Sequence, residues 1–201
     1  MNKKELIKEL IREGFSSDII KSFENVKRED FVNKRHQGLS YENNALPLCV
    51  GATISQPYTI AFMLSLLEVN DNERILEVGS GSGYVLALIH HLGRNLRIYG
   101  VERIKELHER SRESLNGYEN INVFHGDGTN GLRIKAPFDR ILVSAAADEI
   151  PSDLIKQLRF KGAMVIPLKN SIVYIKKESG QNKVREYPGF SFVPLIKGGL
   201  V

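Results

Sequence analysis

The run from Leu76 to Tyr84, Leu-Glu-Val-Gly-Ser-Gly-Ser-Gly-Tyr, has the residue types of a ligand-binding turn. An apolar stretch passes directly into alternating glycines, and an apolar helical pattern follows them. Glycine permits tight turns and lets a ligand approach the backbone closely, and the first turn of a helix carries unpaired N–H groups. The run therefore predicts a strand, a binding turn and a helix. A glycine-rich turn that binds nothing would have the same outline.

The charge on Glu77 indicates which ligand suits this turn. Dinucleotide enzymes hold a pyrophosphate with G-x-G-x-x-G, whereas this spacing is G-x-G-x-G and Glu77 stands two residues before Gly79. A carboxylate there would repel a pyrophosphate, but it can accept a hydrogen bond from an ammonium or lie near a sulfonium. S-adenosylmethionine carries both groups, so the turn favours that cofactor over a dinucleotide.

Two more carboxylates follow predicted strands. Glu102 lies about 20 positions past the glycines, where an acidic residue binds ribose hydroxyls in this architecture; the alternative is a carboxylate that pairs with Arg103 or Lys105. Asp127, between two glycines, comes just after the strand pattern of Ile121 to Phe124 and could accept from the adenine amine. An Asp-Gly turn is the alternative. Three acceptors at the ends of predicted strands favour ligand binding, although Glu102 alone does not separate adenosylmethionine from NAD.

From Glu73 onward, short β-rich runs alternate with helical patterns, which predicts βαβ units and a parallel sheet. The predicted parallel strands are Arg74 to Val78, Leu96 to Val101, Ile121 to Phe124, Phe138 to Val143 and Ala163 to Ile166. The predicted helices are Tyr84 to Leu92, Ile104 to Leu115 and Pro151 to Leu158. The stretches Ser171 to Lys177 and Val184 to Val193 have no helix between them and predict antiparallel edge strands. The fold class is α/β, a doubly wound, Rossmann-like and mostly parallel sheet.

The first third of the chain predicts a helical extension. Apolar residues repeat at helical spacing before Gly14, and again after Ser17 and Asp18. No long periodic segment appears from Lys34 to Pro57, and Pro57 suits the first turn of a third helix. We expect one domain over residues 1–201, in which 1–70 holds the N-terminal helices and the active-site loop and 71–201 holds the cofactor-binding core and C-terminal strands.

Composition narrows the class of protein. At 201 residues with 42% apolar and 26% charged residues, the chain is typical of one globular domain. The net charge of +4 comes from Lys and Arg interleaved with Glu, which favours solvated helix faces over a polyanion site. Cys49 is the sole cysteine, so no disulfide forms within the chain, and the five histidines follow no metal-ligand spacing. Since no signal peptide or apolar span is evident, we expect a cytoplasmic protein without metal.

The chain resembles the bacterial protein-L-isoaspartate O-methyltransferases, within the class I adenosylmethionine-dependent methyltransferases. The broader pattern comprises Glu77 to Gly83, Val101-Glu102 and Gly126 to Gly128. The narrower motifs, of which Thr53-Ile-Ser-Gln-Pro57 is the most diagnostic, are Ala45 to Leu48, Gly51 to Pro57, Val101 to Lys105, Ser144 to Ala146, Ile150-Pro151 and Phe192 to Leu195. The resemblance covers nearly the whole chain, with the motifs in the family's order.

The resemblance implies a role for each matched residue. Ser55 matches the family's active-site serine. The implied cofactor contacts are Thr53, Ile54, Glu77, Gly79, Gly81, Gly83, Glu102, Asp127 and Gly128. The implied substrate contacts are Ala52, Thr53, Ser55, Val193, Pro194 and Leu195. Two departures concern pocket shape: Thr129 stands where the family often has a large aromatic residue, and the stretch Tyr41 to Asn44 lacks an aspartate that many members have.

The implied activity is methyl transfer from S-adenosylmethionine to the α-carboxylate of L-isoaspartyl residues in damaged proteins, with S-adenosylhomocysteine as product. The methyl ester closes to a succinimide, and hydrolysis returns some normal aspartate. A carboxylate with a pKa around 4 is already ionised at neutral pH, so no general base is needed; the enzyme aligns the reacting groups and excludes water. Our hypothesis is that Ser55 donates a hydrogen bond that orients this carboxylate and is not a nucleophile.

Other functions remain as alternatives. A methyltransferase acting on nucleic acid or a small molecule would keep the fold, but the Asn/Asp-Pro-Pro-Tyr/Phe run of base-amine enzymes is replaced by Ser144-Ala145-Ala146, and Cys49 has no proline-cysteine context. An NAD-linked oxidoreductase conflicts with Glu77 and the glycine spacing, and the intact motif set disfavours a binding module without activity. The expected partners are isoaspartyl peptides and proteins, with no nucleic acid and no membrane, and the expected state is a monomer.

Overall fold

The fold is built around one seven-stranded sheet, seen in a computed structural model that describes residues 1–198. Its strands are β3 (Arg74–Val78), β4 (Arg97–Glu102), β5 (Ile121–His125), β6 (Phe138–Val143), β7 (Leu158–Leu168), β8 (Ser171–Lys176) and β9 (Lys183–Pro188). They lie in the order β5-β4-β3-β6-β7-β8-β9, where the first five are parallel and β8 and β9 are antiparallel. The predicted α/β fold with antiparallel C-terminal strands is confirmed.

Within residues 1–198, six α-helices and one small hairpin surround the sheet. The helices are α1 (Lys3–Arg12), α2 (Ser17–Asn25), α3 (Pro57–Leu67), α4 (Tyr84–His90), α5 (Lys105–Ser114) and α6 (Ser152–Gln157). The hairpin pairs β1 (Leu46–Pro47) with β2 (Thr53–Ile54). Short 3₁₀ helices occupy Arg28–Phe31, Lys34–Leu39, Gly128–Asn130 and Arg133–Lys135.

Strand order places a crevice beside β3. The chain runs from β3 outward through β4 to β5 and then returns to β6 on the other side of β3. In doubly wound sheets, ligands bind outside the carboxyl ends of the strands at the point where the order reverses. The residues that follow β3, β4, β5 and β6 therefore surround a single edge, and the glycine-rich turn lies at its centre.

The N-terminal helices cover one face of the sheet. Ile75 and Leu76 are consecutive in β3 and fully buried, yet they belong to different apolar clusters because successive strand residues point to opposite faces. The cluster of Ile75 contains the buried apolar residues of α1, α2 and α3, and that of Leu76 contains Leu154 of α6. The helical extension is thus part of the packing of the sheet. The division at residue 70 and the count of one domain stay predictions.

Some predicted boundaries were wrong. The predicted strand from Ala163 extends back to Leu158, so α6 ends at Gln157 and the chain passes from helix to strand without a loop. The last predicted strand does not continue to Val193: it ends at Pro188, because proline donates no hydrogen bond and Gly189 has a φ of 97°. The other predicted strand and helix boundaries agree with the structure to within two residues, as is usual for element ends.

Gly83 is needed for both its conformation and its size. It caps α4 with a φ of 86°, in the left-handed region that favours glycine. A Cβ there would lie 2.7 Å from Leu115 Cδ1 and 3.1 Å from its Cγ, which is too close. Gly117 has a φ of 101°, but a Cβ there would meet no atom within 4 Å.

We expect Gly83→Ala to lower the free energy of unfolding by about 2–4 kcal/mol, because backbone strain and overpacking add. Gly117→Ala is the matched control and should lose about 1–2 kcal/mol from strain alone. Urea unfolding of both variants measures the difference. Equal losses would show that the contact with Leu115 is not limiting.

Candidate functional site

A cavity of about 40 Å³ lies under the glycine-rich turn, between the sheet and the β1–β2 hairpin, and we call it the Glu77 cavity. Its lining consists of Leu48, Thr53, Ile54, Ser55, Ile60, Met63, Glu77, Gly79, Ser80, Gly81, Ser82, Tyr84, Val85, Leu142 and Ser144. The cavity therefore brings the predicted serine of the loop and the predicted carboxylate of β3 to one place.

Glu77 is an almost uncompensated buried carboxyl group. Only 1% of the residue is exposed, Oε1 accepts a 2.6 Å hydrogen bond from Ser144 Oγ, and Oε2 has no partner in the part of the chain that the structure describes. The pKa of Glu77 is raised to about 8, mainly by burial; the Ser144 hydrogen bond opposes this shift and repulsion from Glu102 adds to it. A buried acceptor without a partner suits a cationic donor group on a ligand.

Glu102 organises the turn from the end of β4. Its Oε2 accepts from the Gly81 N–H at 2.8 Å, and its Oε1 accepts from the Ile104 N–H at 2.9 Å. Lys105, an alternative partner for Glu102 on sequence grounds, pairs with Glu109 at 3.8 Å. Since each carboxylate oxygen has a further lone pair, the residue can hold the turn and still accept from ligand hydroxyls.

Asp127 accepts hydrogen bonds from Thr129 and from the C-terminal segment. Its Oδ1 accepts from the Thr129 N–H at 2.9 Å and from Thr129 Oγ1 at 2.7 Å, and its Oδ2 accepts from the Gly198 N–H at 2.8 Å. Burial alone would raise the pKa of Asp127, but these hydrogen bonds outweigh it and lower that pKa. Thr129, a departure from the family pattern, thus supplies two of the three donors. Gly128 is buried against Val78.

A second cavity of about 300 Å³ adjoins the first, and we call it the Glu102 cavity. It is lined by Val50, Gly51, Ala52, Thr53, Gly79, Gly81, Glu102, Arg103, Ile104, Ser144, Ala145, Val193, Pro194, Leu195 and Ile196. The C-terminal segment reaches it because Ala146 N–H donates to Val193 O at 2.8 Å and Leu195 N–H donates to Ala146 O at 2.6 Å. At this volume the cavity reaches the lower limit typical of small-molecule sites.

The structure brings most of the predicted site residues to these two cavities. Thr53, Gly79 and Gly81 line both; Ile54, Ser55 and Glu77 line the first; Ala52, Glu102, Val193, Pro194 and Leu195 line the second. Gly83, Asp127 and Gly128 line neither. Gly83 is the N-cap of α4, and Asp127 accepts from Gly198, two residues beyond Ile196, which lines the second cavity.

Ser55 has a free hydroxyl at the edge of the Glu77 cavity. Its side chain is half-buried and makes no hydrogen bond to any residue from 1 to 198, whereas its carbonyl oxygen accepts from Arg28 Nη2 at 3.0 Å. The backbone of Ser55 is therefore held while its hydroxyl can still donate to a ligand.

Sequence reasoning missed three residues of this site. Ser144 was noticed only as part of a family motif, yet it follows β6, and the strand-end rule that found Glu102 would have found it too. Arg28 carried no prediction of its own among the interleaved basic and acidic residues, but it is completely buried. Asn43 links two parts of the extension: its Oδ1 accepts from the Tyr58 N–H at 2.9 Å, and its Nδ2 donates to Glu9 Oε1 at 2.6 Å.

The contacts of Asn43 show why an amide suits position 43 better than a carboxylate. An aspartate at position 43 could accept from Tyr58 N–H as Asn43 does, but it has no donor for Glu9 and would place two carboxylates together. The amide removes that repulsion and ties the loop to α1.

Comparison with known proteins points to one family. The sequence model described as protein-L-isoaspartate(D-aspartate) O-methyltransferase matches residues 1–199. A protein-L-isoaspartate O-methyltransferase of Ignicoccus hospitalis is 40% identical over 97% of this chain and 97% of its own, and one of Dictyoglomus thermophilum is 42% identical over 96% and 90%.

Solved structures agree on the fold. A protein-L-isoaspartate O-methyltransferase structure superposes with a TM-score of 0.90 at 25% identity, covering 99% of this chain and 67% of the other. A second structure is described as that of a protein-L-isoaspartate O-methyltransferase from Plasmodium falciparum in complex with S-adenosyl-L-homocysteine. It has a TM-score of 0.87 at 24% identity, and the match covers 98% of this chain and 100% of the other.

The buried carboxyl of Glu77 should make stability depend on pH. The group loses its proton near pH 4.5 when unfolded but near pH 8 when folded, so between these values the folded state binds more protons and stability falls as pH rises. Glu77→Gln removes this effect. The stability of the variant relative to the original should therefore increase from pH 5 to pH 8, by at most about 1.4 kcal/mol per pH unit.

Thermal unfolding of the cofactor-free proteins at pH 5, 6.5 and 8 measures this. The exposed Glu119→Gln is the control, for which the pH dependence should match that of the original chain. A constant difference between Glu77→Gln and the original at all three pH values would contradict the assignment.

Proposed function

The chain belongs to the protein-L-isoaspartate(D-aspartate) O-methyltransferase family, and from this we propose a division of labour in which the sheet edge binds the cofactor and the loop at Ser55 positions the substrate. The activity is methyl transfer from S-adenosylmethionine to L-isoaspartyl residues of damaged proteins, the first step of their repair. A methyltransferase acting on nucleic acid or a small molecule is not favoured.

One observation carries the proposal: the unpaired Oε2 of Glu77 and the free hydroxyl of Ser55 belong to the same small cavity. An unpaired, buried carboxyl oxygen is suited to a positively charged donor group, and S-adenosylmethionine carries such groups. When bound, S-adenosylmethionine supplies an electrophilic methyl group on a positively charged sulfur. An acceptor for the cofactor and a donor for the substrate are thereby adjacent.

The cofactor residues are assigned to the two cavities by their chemistry. Glu77 accepts from the cationic end of the cofactor, and Glu102 accepts from its ribose hydroxyls through the lone pairs that Gly81 and Ile104 leave free. The turn glycines and the hairpin residues Thr53 and Ile54 enclose it. Asp127 keeps the C-terminal segment near the Glu102 cavity. Its Oδ2 accepts only one hydrogen bond from the described residues, so it can also accept from the adenine amine, as the sequence predicts.

Ser55 acts as a donor to the substrate. Its hydroxyl donates to the isoaspartyl α-carboxylate and holds that anion toward the cofactor, while Ala52, Thr53, Val193, Pro194 and Leu195 line the approach. The anion needs no base, since a carboxyl pKa of about 4 leaves it ionised. Apolar neighbours of Ser55, among them Ile54 and Ile60, exclude water from the carboxylate and raise its reactivity.

The cellular location of the protein is also a proposal. We propose a cytoplasmic protein, in keeping with a single, unpaired Cys49. None of the helices within residues 1–198 has the length and apolar character that crossing a membrane requires. The monomeric state and the absence of nucleic-acid and membrane partners stay predictions.

We expect the chain to transfer labelled methyl from S-adenosylmethionine to an isoaspartyl peptide and not to the matched aspartyl peptide, with label that mild base releases. Ser55→Ala should lower kcat/KM about 10- to 100-fold, because a hydrogen bond to a charged group is lost. Ser65→Ala, an exposed serine on α3, is the control and should keep full activity. Equal labelling of both peptides, or methyl bound to Ser55, would rule the proposal out.

Glu102→Gln tests the cofactor side. The NH2 group that replaces one oxygen faces the N–H of Gly81 or Ile104 and cannot accept from it. The substitution therefore removes a hydrogen bond that holds the turn and weakens the contact with the ribose hydroxyls. Calorimetry should show binding of S-adenosylhomocysteine weakened about 10- to 100-fold, while exposed Glu119→Gln binds as before. Unchanged binding by Glu102→Gln would remove Glu102 from the cofactor site.

A further inference from the structure

Arg28 is a charged side chain with no exposed surface. It opens the 3₁₀ helix Arg28–Phe31, beneath the loop that leads to Ser55, and its relative exposure is 0%. Buried arginines usually pair with a carboxylate, but no ion pair of Arg28 occurs within residues 1–198.

The guanidinium group of Arg28 donates to four backbone carbonyl oxygens instead. Nη1 donates to Ser40 O at 2.7 Å and to Glu42 O at 3.3 Å. Nη2 donates to Asn44 O at 3.1 Å and to Ser55 O at 3.0 Å. Two chain segments, 40–44 and the one at Ser55, are thereby joined at a single planar group.

The charge of Arg28 persists in this position. Burial lowers the pKa of Arg28 to about 10, so the group stays protonated at neutral pH. The ring of Tyr84 lies with its centroid 5.9 Å from Arg28 Cζ, within the range of a cation–π contact. A buried charge without a carboxylate partner is a poor source of stability compared with an apolar side chain of similar size. This points to a role in placing the groups that it contacts.

The groups that Arg28 contacts belong to both halves of the site. Ser55, whose carbonyl it binds, lines the Glu77 cavity from the loop side. Tyr84, whose ring it faces, lines the same cavity and is the first residue of α4, directly after the glycine-rich turn. Arg28 therefore connects the substrate loop to the cofactor turn without entering the cavity.

We propose that Arg28 is a positioning residue that sets the backbone of Ser55 against the start of α4, so that the Ser55 hydroxyl points to the substrate carboxylate. The inference rests on the proposed role of Ser55. It requires the fork of the guanidinium, because an ammonium has no planar array of donors that can hold carbonyls on two segments in fixed directions.

The experiment is a double-mutant cycle on the full chain. Arg28→Lys, Ser55→Ala and the double variant are compared for kcat and KM with an isoaspartyl peptide and for the Kd of S-adenosylhomocysteine by calorimetry. Arg74→Lys is the matched control: this arginine also donates to two carbonyls, Lys135 O and Ala136 O, but at the opposite edge of the sheet. It should keep the original kcat and Kd.

We expect Arg28→Lys to lower kcat about 10- to 100-fold through misplacement of Ser55, while the Kd of S-adenosylhomocysteine changes less than about threefold because Glu77 and Glu102 are untouched. The double variant should be no slower than Ser55→Ala, since a residue that acts through Ser55 has no effect once the hydroxyl is gone. A merely structural role would instead weaken product binding in parallel with kcat.

Three further kinetic outcomes of this cycle overturn the inference. If Arg28→Lys keeps full activity while Ser55→Ala is impaired, the role of Arg28 is overturned and the proposed function stands. The same conclusion follows if the losses of the two single variants multiply in the double variant. Full activity of Ser55→Ala refutes the role of the serine in the proposed function, and the role of Arg28 fails with it.

A failure of Arg28→Lys to fold would be shown by loss of S-adenosylhomocysteine binding together with loss of the unfolding transition. In that case Asn43→Ala tests whether the position of the loop controls Ser55. It loosens the same loop at Tyr58 and leaves Arg28 in place. The expected result is a kcat about 3- to 10-fold lower and no further loss when combined with Ser55→Ala. An unchanged kcat would show that the position of the loop does not control Ser55, and would overturn the inference.

Discussion

The carboxyl group of Glu77 lies buried at the centre of the sheet edge with one oxygen bonded to Ser144 and the other unpaired. Such a group is unfavourable for folding, so the surrounding structure has to force it into place. Strand β3 does this, since it lies between β4 and β6 and is buried from Ile75 to Val78. The unfavourable position is what makes the site attractive to a cation.

A second carboxylate is held close to the first by backbone donors. The N–H groups of Gly81 and Ile104 fix Glu102 at the end of β4, and its charge adds to the repulsion felt at Glu77. Burial and the nearby charge of Glu102 therefore keep Glu77 protonated near neutral pH in the cofactor-free protein. A positively charged ligand favours the ionised form of Glu77, which makes this carboxyl group suited to a cationic cofactor.

The segment that covers the site is held by a buried cation, Arg28. The β1–β2 hairpin and the loop before it have little regular structure of their own, and Arg28 orders them by donating to carbonyl oxygens that no strand or helix would bond. Carboxyl groups thus lie at the sheet edge, and the buried cation Arg28 contacts the segment above it. The substrate carboxylate has to meet the cofactor between these two regions.

The sequence by itself determined the alternating strands and helices, the turn at Gly79 to Gly83, the acceptors Glu77 and Glu102, and the motif around Ser55, because each depends on periodicity or on neighbours within a few residues. Tertiary structure alone decided the burial of Arg28, the capture of Glu77 by Ser144 and the hold of Asp127 on Gly198. These contacts join residues 27, 67 and 71 positions apart. No local pattern encodes such pairings, since they exist only once the sheet and its cover have packed together.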